Sequence, residues 1–501
     1  MKNFNFNNLF ILDLANNHQG SVSHGGEIIS RLGEVVAATK VRAAIKFQFR
    51  QLDSFIHPDH QVGSKAAHIP RFLDTRLSLD QYESLVDLVR QQNMITMCTP
   101  FDEESLEPIL RQGFDVIKIA SCSVTDYPLL NEVARASKPV VISTGGATIR
   151  EIDRVVQLMD DNQVDFALEH CVSIYPTPPE QLELNQIGVL RDRYPKVPIG
   201  WSTHEDPDDV ITVQLACAKG ATLFERHVGL ETDTISLNKY SSTPEQVQRW
   251  IHAYQSAQVR LGAENRGPAS VKERGSLQTL ARGVFARRDV NEGEVLEKAD
   301  VFFAMPASQE GLLAGQWREG LKASCTIEKN APVPGSIRPI DLTDEDFIDD
   351  IMLQVRGMLH EARIELSRSD KIEISHHYGL RRFREFGAVI IDVINREYCK
   401  KLLVQLPRQK HPYHRHERKE ETFQVLFGEL EVEKNGHPLK LYPGDTFLVE
   451  PNAWHKFSTL GGVIFEEIST THYNDDSFYE DPLIANKPRE ERKTIVENWK
   501  L

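Results

Sequence analysis

Two lysines stand inside runs that are otherwise apolar, Lys46 in AAIKFQF and Lys118 in VIKIAS. A buried ammonium is costly unless it meets an anion. Each therefore calls for a phosphate or carboxylate ligand or, in the structural alternative, for an acid of the chain itself. Thr99, Ser121, Ser143 and the Gly145-Gly146 backbone supply hydroxyl and N–H donors of the kind phosphate oxygens accept. His204 and His227 end neighbouring apolar runs and could share one divalent ion, with water and substrate in the other positions; core histidines are the alternative. A second constellation follows much later: His414-x-His416-x4-Glu421-x6-Gly428, then Gly444-Asp445-x5-Pro451-x3-His455. Alternate residues of a strand face the same way, so His414 and His416 point inward together. Glu421 and His455 then complete three histidines and one carboxylate, a donor set for Zn, Mn, Fe or Ni.

These residues need elements to hold them. Buried-strand runs recur at Phe10–Ala15, Ala43–Phe49, Met94–Thr99, Val116–Ala120, Pro139–Ser143, Phe166–Val172, Val197–Ser202 and Leu223–Val228. Between them lie helical patterns such as LSLDQYESLVDLVRQQ and TPEQVQRWIHAYQSA. Eight such units predict a (β/α)8 TIM barrel, with a doubly wound sheet as the rival. The strand ends favour the barrel: the polar groups sit there, and a barrel brings all its carboxyl ends to one mouth. After an acidic stretch, LTDEDFIDD, the pattern becomes alternating apolar and polar strands with turns at Asn435-Gly436 and Pro443-Gly444-Asp445, which predicts an all-β antiparallel barrel. The expected divisions are 1–265 (TIM barrel), 266–280 (linker), 281–345 (a small α+β domain), 346–365 (linker helix), 366–472 (β barrel) and 473–501 (C-terminal tail).

Composition narrows the function. The 501 residues carry 58 Lys+Arg against 73 Asp+Glu, a formal net charge of −15, which disfavours nonspecific nucleic-acid binding. No apolar run approaches the roughly 18–20 residues of a spanning helix, and the start lacks a signal peptide, so no membrane role and a cytoplasmic location are expected. The 6 cysteines are scattered without a CxxC and read as reduced thiols.

The stretches LDLANNHQG, IKFQ, CTPFDEESLE, KIASCSVTDYPLL, VVISTGGAT, HCVSIYPTPPEQLELN, GWSTHE and GATLFERHV resemble, in order, the strand-end motifs of the N-acetylneuraminate (sialic acid) synthase family. ARGVFARRDVNEGEVLEKADVFFAMP resembles that family's antifreeze-like SAF domain. The resemblance implies condensation of phosphoenolpyruvate with an aldose or amino-sugar acceptor to a 3-deoxy-2-ulosonic acid and phosphate, by a domain-swapped homodimer with Mn or Mg in the barrel. It implies phosphoenolpyruvate contacts at Lys46, Thr99, Lys118, Ser121, Ser143 and Ser202, metal ligands at His204 and His227, and acceptor contacts at Gln48 and Tyr175. The sequence departs from the family at Asp13 (usually Glu), Ser123 (acidic), Ser173 (Asn), Asn238 (an acceptor-binding Asp) and Met305-Pro306-Ala307 (Arg-Pro-Gly). The acceptor half is rewritten, so the expected acceptor is not plain N-acetylmannosamine. Asp13 is the candidate for positioning or deprotonating the attacking water; Ser173 and Asn238 are carried as substrate contacts.

The C-terminal pattern resembles the two cupin motifs over residues 366–470. Two roles are open: a metal-dependent sugar isomerase, with Glu420 or Lys419 as base, or a sugar-binding module beside an inactive barrel. The stretch Ile374-Ser375-His376-His377-Tyr378-Gly379 is expected either to add polar groups to the mouth of the β barrel or to be solvated.

Overall fold

The computed structural model describes residues 4–66, 68–263, 266–267, 269–336, 344–366 and 371–496. The ends of the expected divisions at 265 and 501, and residues 337–343 within 281–345, lie outside the described residues. The chain forms two compact units, Met1–Pro268 and Ala269–Leu501.

In the first unit eight strands close a parallel barrel in chain order. They are β1 (Leu9–Asp13), β2 (Arg42–Phe49), β3 (Ile95–Pro100), β4 (Val116–Ile119), β5 (Val140–Ser143), β6 (Phe166–Cys171), β7 (Ile199–Thr203) and β8 (Leu223–His227). The TIM-barrel reading of the eight runs holds. Several of the surrounding helices are fixed locally: Ser78 with Gln81, Thr148 with Glu151 and Thr243 with Gln246 form capping boxes at their N-termini.

The strand interior explains where the site lies. Leu9, Ile11, Ala44, Met97, Val116, Val141, Ala167 and Leu223 pack together in one inner apolar cluster. Two residues further along the same faces stand Asp13, Lys46, Thr99, Lys118, Ser143, Glu169 and Glu225. The barrel axis therefore runs from an apolar plug to a polar layer. Register fixes the neighbours: Asp13 pairs with Lys46 on one side and His227 on the other.

The second unit begins with a helix at Val271–Leu280, then short antiparallel pairs: β9 (Gly283–Ala286) with β11 (Val301–Ala304), and β10 (Val295–Leu296) with β12 (Leu321–Lys322). Val284, Leu296, Val301, Leu321 and Val333 form their small core. Two antiparallel sheets follow. One holds β13 (Lys371–Ser375), β14 (Ala388–Asn395), β15 (Tyr398–Gln405), β17 (Glu421–Gly428), β20 (Thr446–Val449), β22 (Val463–Thr470) and β24 (Lys493–Val496). The other holds β16 (His414–Arg415), β18 (Leu430–Lys434), β19 (His437–Leu441), β21 (His455–Ser458) and β23 (Phe478–Tyr479). Asn435 and Gly436 both take positive φ, 50° and 84°, as the two-residue turn between β18 and β19 requires.

The helix Asp344–Glu361 buries Ile351, Met352, Val355 and Leu359 among Ile372, Val389 and Leu402, so it is part of this core. The segment after 472 is likewise built in, since β24 pairs with β13 and β23 with β16. No helix among the described residues is long and apolar enough to cross a membrane. All 6 cysteines are free.

Candidate functional site

One cavity of about 570 Å³ opens at the carboxyl ends of the barrel strands. It gathers Asp13, Lys46, Gln48, Lys118, Ser121, Ser143, Ser173, Tyr175, Ser202, His204 and His227, eleven of the residues singled out by sequence. Two do not line it. Thr99 is buried on β3 with its hydroxyl unpartnered. Asn238 spends its side-chain oxygen accepting the Tyr240 N–H at 3.2 Å, and Tyr240 takes the place at the wall.

Both lysines meet acids of the chain, as the structural alternative for them required. Lys46 Nζ lies 3.0 Å from both Asp13 Oδ2 and Glu225 Oε1. Lys118 contacts Glu169 and lies 3.0 Å from Glu225 Oε2. Burial pulls the Lys46 pKa down, but Asp13 and Glu225 outweigh it and hold the ammonium above the usual lysine value. Burial pushes Glu169 up to about 7 against the pull of Lys118. For Glu225, between both lysines, their charges overcome burial and keep the carboxyl well below the usual range. The ionic layer is thus two cations shared among three carboxyls.

Both histidines of the mouth present a free Nε2. His204 Nδ1 lies 3.1 Å from the Val172 carbonyl and must donate there; burial, then the His227 ring, lowers its pKa to about 3. His227 Nδ1 lies 3.3 Å from Asp13 Oδ2, and burial lowers its pKa too. The ring centres are 5.3 Å apart, with Tyr175 4.2 Å from His204. A neutral imidazole anchored through Nδ1 is the form that ligates a metal, so the pair fits a divalent ion completed by substrate or water. Asp13 is fully engaged: Oδ1 accepts the Ala15 N–H at 3.0 Å, and Oδ2 faces Lys46, His227 and Gln48 Nε2. Ser143 Oγ is buried without a partner, while Ser202 donates to Glu225 Oε1 at 3.0 Å. Gly145 permits the close approach here, since a Cβ would sit 2.6 Å from Ser173 Oγ and 2.7 Å from Ser121 Oγ.

The second candidate centre lies between the β sheets of the other unit. His414, His416 and His455 offer ring nitrogens all within 4.8 Å of one another, all buried. Their Nδ1 atoms face the carbonyls of Pro412 (3.0 Å), Asp476 and Ala453 (3.1 Å) respectively. Each Nδ1 must then carry a proton, so Nε2 is the ring atom left to a ligand. Glu421 Oε2 faces His455 Nε2 at 3.1 Å, and both atoms are buried with no hydrogen-bond partner. A cation between these two atoms would give both a partner, so three histidines and Glu421 fit a metal. Lys419 contacts Glu421 and lies 3.0 Å from Glu467 Oε1. The space at this centre is about 40 Å³.

Two expectations about this centre change. Glu420 is exposed, because its neighbour Glu421 takes the inward parity of β17. His376 and His377 are buried, not solvated; the His377 ring packs 4.5 Å from His411. Sequence reasoning also missed Glu169 and Glu225 as the partners of the lysines. The available signal was a lone acid in the apolar run FALEHC and the i, i+2 spacing of Glu225 to His227. Arg50 and Tyr240, also at the wall, had no such signal.

The model of the NeuB family matches residues 35–266. The crystal structure of a spore coat polysaccharide biosynthesis protein E from Chromobacterium violaceum is 43% identical, with a TM-score of 0.64, over 66% of this chain and 99% of that one. The chain belongs to the NeuB family. This NeuB-family chain also matches the cupin domain over residues 402–466. It is 29% identical to the N-acetylneuraminate-9-phosphate synthase of Drosophila melanogaster over 65% of this chain and 94% of that protein. To the N,N'-diacetyllegionaminic acid synthase of Campylobacter jejuni it is 25% identical, over 62% of this chain and 94% of that protein.

Proposed function

We propose that this NeuB-family protein joins phosphoenolpyruvate to an aldose or amino-sugar acceptor other than plain N-acetylmannosamine, giving a 3-deoxy-2-ulosonic acid and phosphate. The observation that carries the reading is the convergence of Lys46, Lys118, His204 and His227 on one mouth. The relatives named N-acetylneuraminate-9-phosphate synthase and N,N'-diacetyllegionaminic acid synthase support it.

In this reading Lys46 and Lys118 turn donors from Glu225 and Glu169 toward the phosphate and carboxylate of the substrate, and Ser143 offers its unpartnered hydroxyl. Ser121, Ser202 and Thr99 belong to the same anion-binding set. Gln48, Ser173, Tyr175 and the loop of Asn238 serve the acceptor. His204 and His227 would hold Mn or Mg, which supplies Lewis-acid polarisation of the acceptor carbonyl when bound. C3 of the enol adds to the aldehyde carbon, water adds at C2, and phosphate leaves. Asp13, engaged on four sides, holds His227 and Lys46 in position, and its part in aiming the water acts through them. A SAF-like role for 281–345, a swapped homodimer and a cytoplasmic location belong to the same proposal.

The test is phosphate release from phosphoenolpyruvate with a panel of aldoses and Mn2+ or Mg2+, with mass detection of the condensed acid. Release that depends on acceptor, Lys46 and Lys118 supports the reading; none with any aldose overturns it.

The cupin centre supports a second reading, a metal-dependent aldose–ketose isomerase, favoured by three histidines and Glu421 beside the buried pair Lys419 and Glu467. Zn, Mn, Fe or Ni would sit there. Exchange of the C2 proton of an aldose with solvent, followed on the full chain, decides it: exchange lost in His455→Ala supports isomerisation, and no exchange with any aldose removes it.

A further inference from the structure

Arg50 leaves β2 just beyond Phe49 and lines the barrel cavity. Its guanidinium carbon lies 3.6 Å from the ring centre of Phe101 and 4.1 Å from that of Phe72. With its faces given to aromatic rings, only the N–H edge remains for a ligand. One Nη2 hydrogen goes to Gln48 Oε1 at 2.9 Å, and Nε is buried with no partner. The contrast with the lysines is sharp: Lys46 and Lys118 each meet two carboxylates, whereas Arg50 makes no ion pair among the described residues.

A guanidinium edge takes the oxygens of a phosphate or carboxylate two at a time. Which substrate brings that oxyanion follows from spacing. Lys46 and Arg50 leave the strand four residues, or about 13 Å, apart, and Lys46 is drawn down to Asp13 and Glu225. The Gln48 amide stands between Arg50 and the Asp13 carboxylate that holds Lys46, so a group taken by Arg50 lies one level further out than an enol phosphate seated on the lysines.

We propose that Arg50 binds an anionic group on the second substrate, so that the acceptor is an aldose carrying a phosphate or carboxylate remote from its aldehyde carbon. This rests on the synthase reading. Gln48 links the two levels, since it accepts from Arg50 and its Nε2 lies 3.3 Å from Asp13 Oδ2. Arg50 is thus a specificity residue whose ligand also fixes the amide beside Asp13.

The experiment compares a 2-acetamidohexose, its 6-phosphate and the matching hexuronic acid, both as acceptors for phosphate release and as ligands in calorimetric titration of the full chain. Arg50→Met keeps an apolar stem between the rings without charge, and Arg50→Lys keeps the charge without the fork; thermal melting confirms that both fold. The anionic sugars should be preferred over the neutral one by roughly 10- to 100-fold in kcat/KM and in affinity. That ratio should collapse in Arg50→Met and recover partly in Arg50→Lys, and which anion wins identifies the group. Equal use of neutral and anionic sugars, or a ratio that Arg50→Met leaves intact, overturns the proposal. If no sugar releases phosphate the synthase reading fails alone, because Arg50-dependent binding of the sugar anion is still read by calorimetry.

Discussion

The barrel mouth and the cupin centre both present histidines anchored through Nδ1, yet they are built for different tasks. In the mouth, two histidines face about 570 Å³ of space, above an ionic layer in which every lysine already has acid partners. At the cupin centre, three histidines and Glu421 close on about 40 Å³, with His455 Nε2 and Glu421 Oε2 facing each other without a hydrogen-bond partner. The first arrangement leaves coordination to be completed by substrates. The second supplies nearly a full set of ligands from the chain. Holding the substrate and holding the ion have been given to different residues in one molecule, and substitutions can test that division.

The largest effect is expected in the ionic layer. Lys118→Met leaves Glu169 and Glu225 buried around an apolar side chain, and breaking a buried pair from one side costs about 3–5 kcal/mol. Denaturant unfolding should show that loss, and phosphate release should fall at least about 1,000-fold. Adding Glu169→Gln should restore part of the stability and none of the turnover. If the double variant recovers turnover, Lys118 is only a counter-ion.

At the cupin centre, His455→Ala should reduce bound metal, measured by elemental analysis of protein purified without chelator, by more than about 100-fold in affinity. The same substitution should leave barrel turnover unaltered if the two centres act separately. Asp13→Asn keeps the shape beside His227 and Lys46 but removes the charge; an outer-sphere role predicts a loss of about 10–100-fold in turnover. A loss within a few-fold would make Asp13 structural.

A smaller effect concerns acid. His18 is fully buried in the turn after β1; burial, then the charge of Arg71, lowers its pKa from 6.5 to about 4. The unfolded chain binds that proton first, so stability rises with pH between about 4 and 6.5. The contribution is complete above 6.5 and is lost as pH falls toward 4. Between pH 7 and 5.5 this one group should cost about 1 kcal/mol. Melting curves of His18→Phe should show a shallower acid limb over that interval, and an unchanged limb would remove His18 as the cause.

How much of this could be read in the sequence depended on period. The barrel strands alternate strictly, so the inner face could be followed from Leu9 to Asp13 or from Ala44 to Lys46, and the strand-end residues met at one mouth as expected. His414-x-His416 was legible for the same reason. What failed was pairing across long separations. Lys46 finds Glu225 from 179 positions away and Lys118 finds Glu169 from 51, and no local pattern announces either. Asn238 sits in an irregular loop where no period fixes direction, so Tyr240, two residues on, took the wall. His376 and His377 looked like loop residues, but Arg492, far along the chain, supplies the carbonyl that both their N–H groups bond.

Parity also decides the smallest prediction, the choice between Glu420 and its neighbours as a base. Glu421 opens β17 facing inward, opposite Val449 and Ser469, so Glu420 must face out, and it is exposed. Its backbone N–H bonds Thr470 Oγ1 at 3.2 Å, and its carbonyl accepts from the Thr470 N–H; the strand end therefore uses its main chain and leaves its carboxylate in water. Glu420→Gln should change C2 proton exchange less than about 2-fold and stability by less than about 0.5 kcal/mol, as surface substitutions do. Glu467→Gln, by contrast, removes the buried partner of Lys419 at 3.0 Å and should suppress any exchange by far more. If the two variants respond in the opposite order, the inward parity of β17 does not select the base, and the chemistry of this centre lies at its exposed rim.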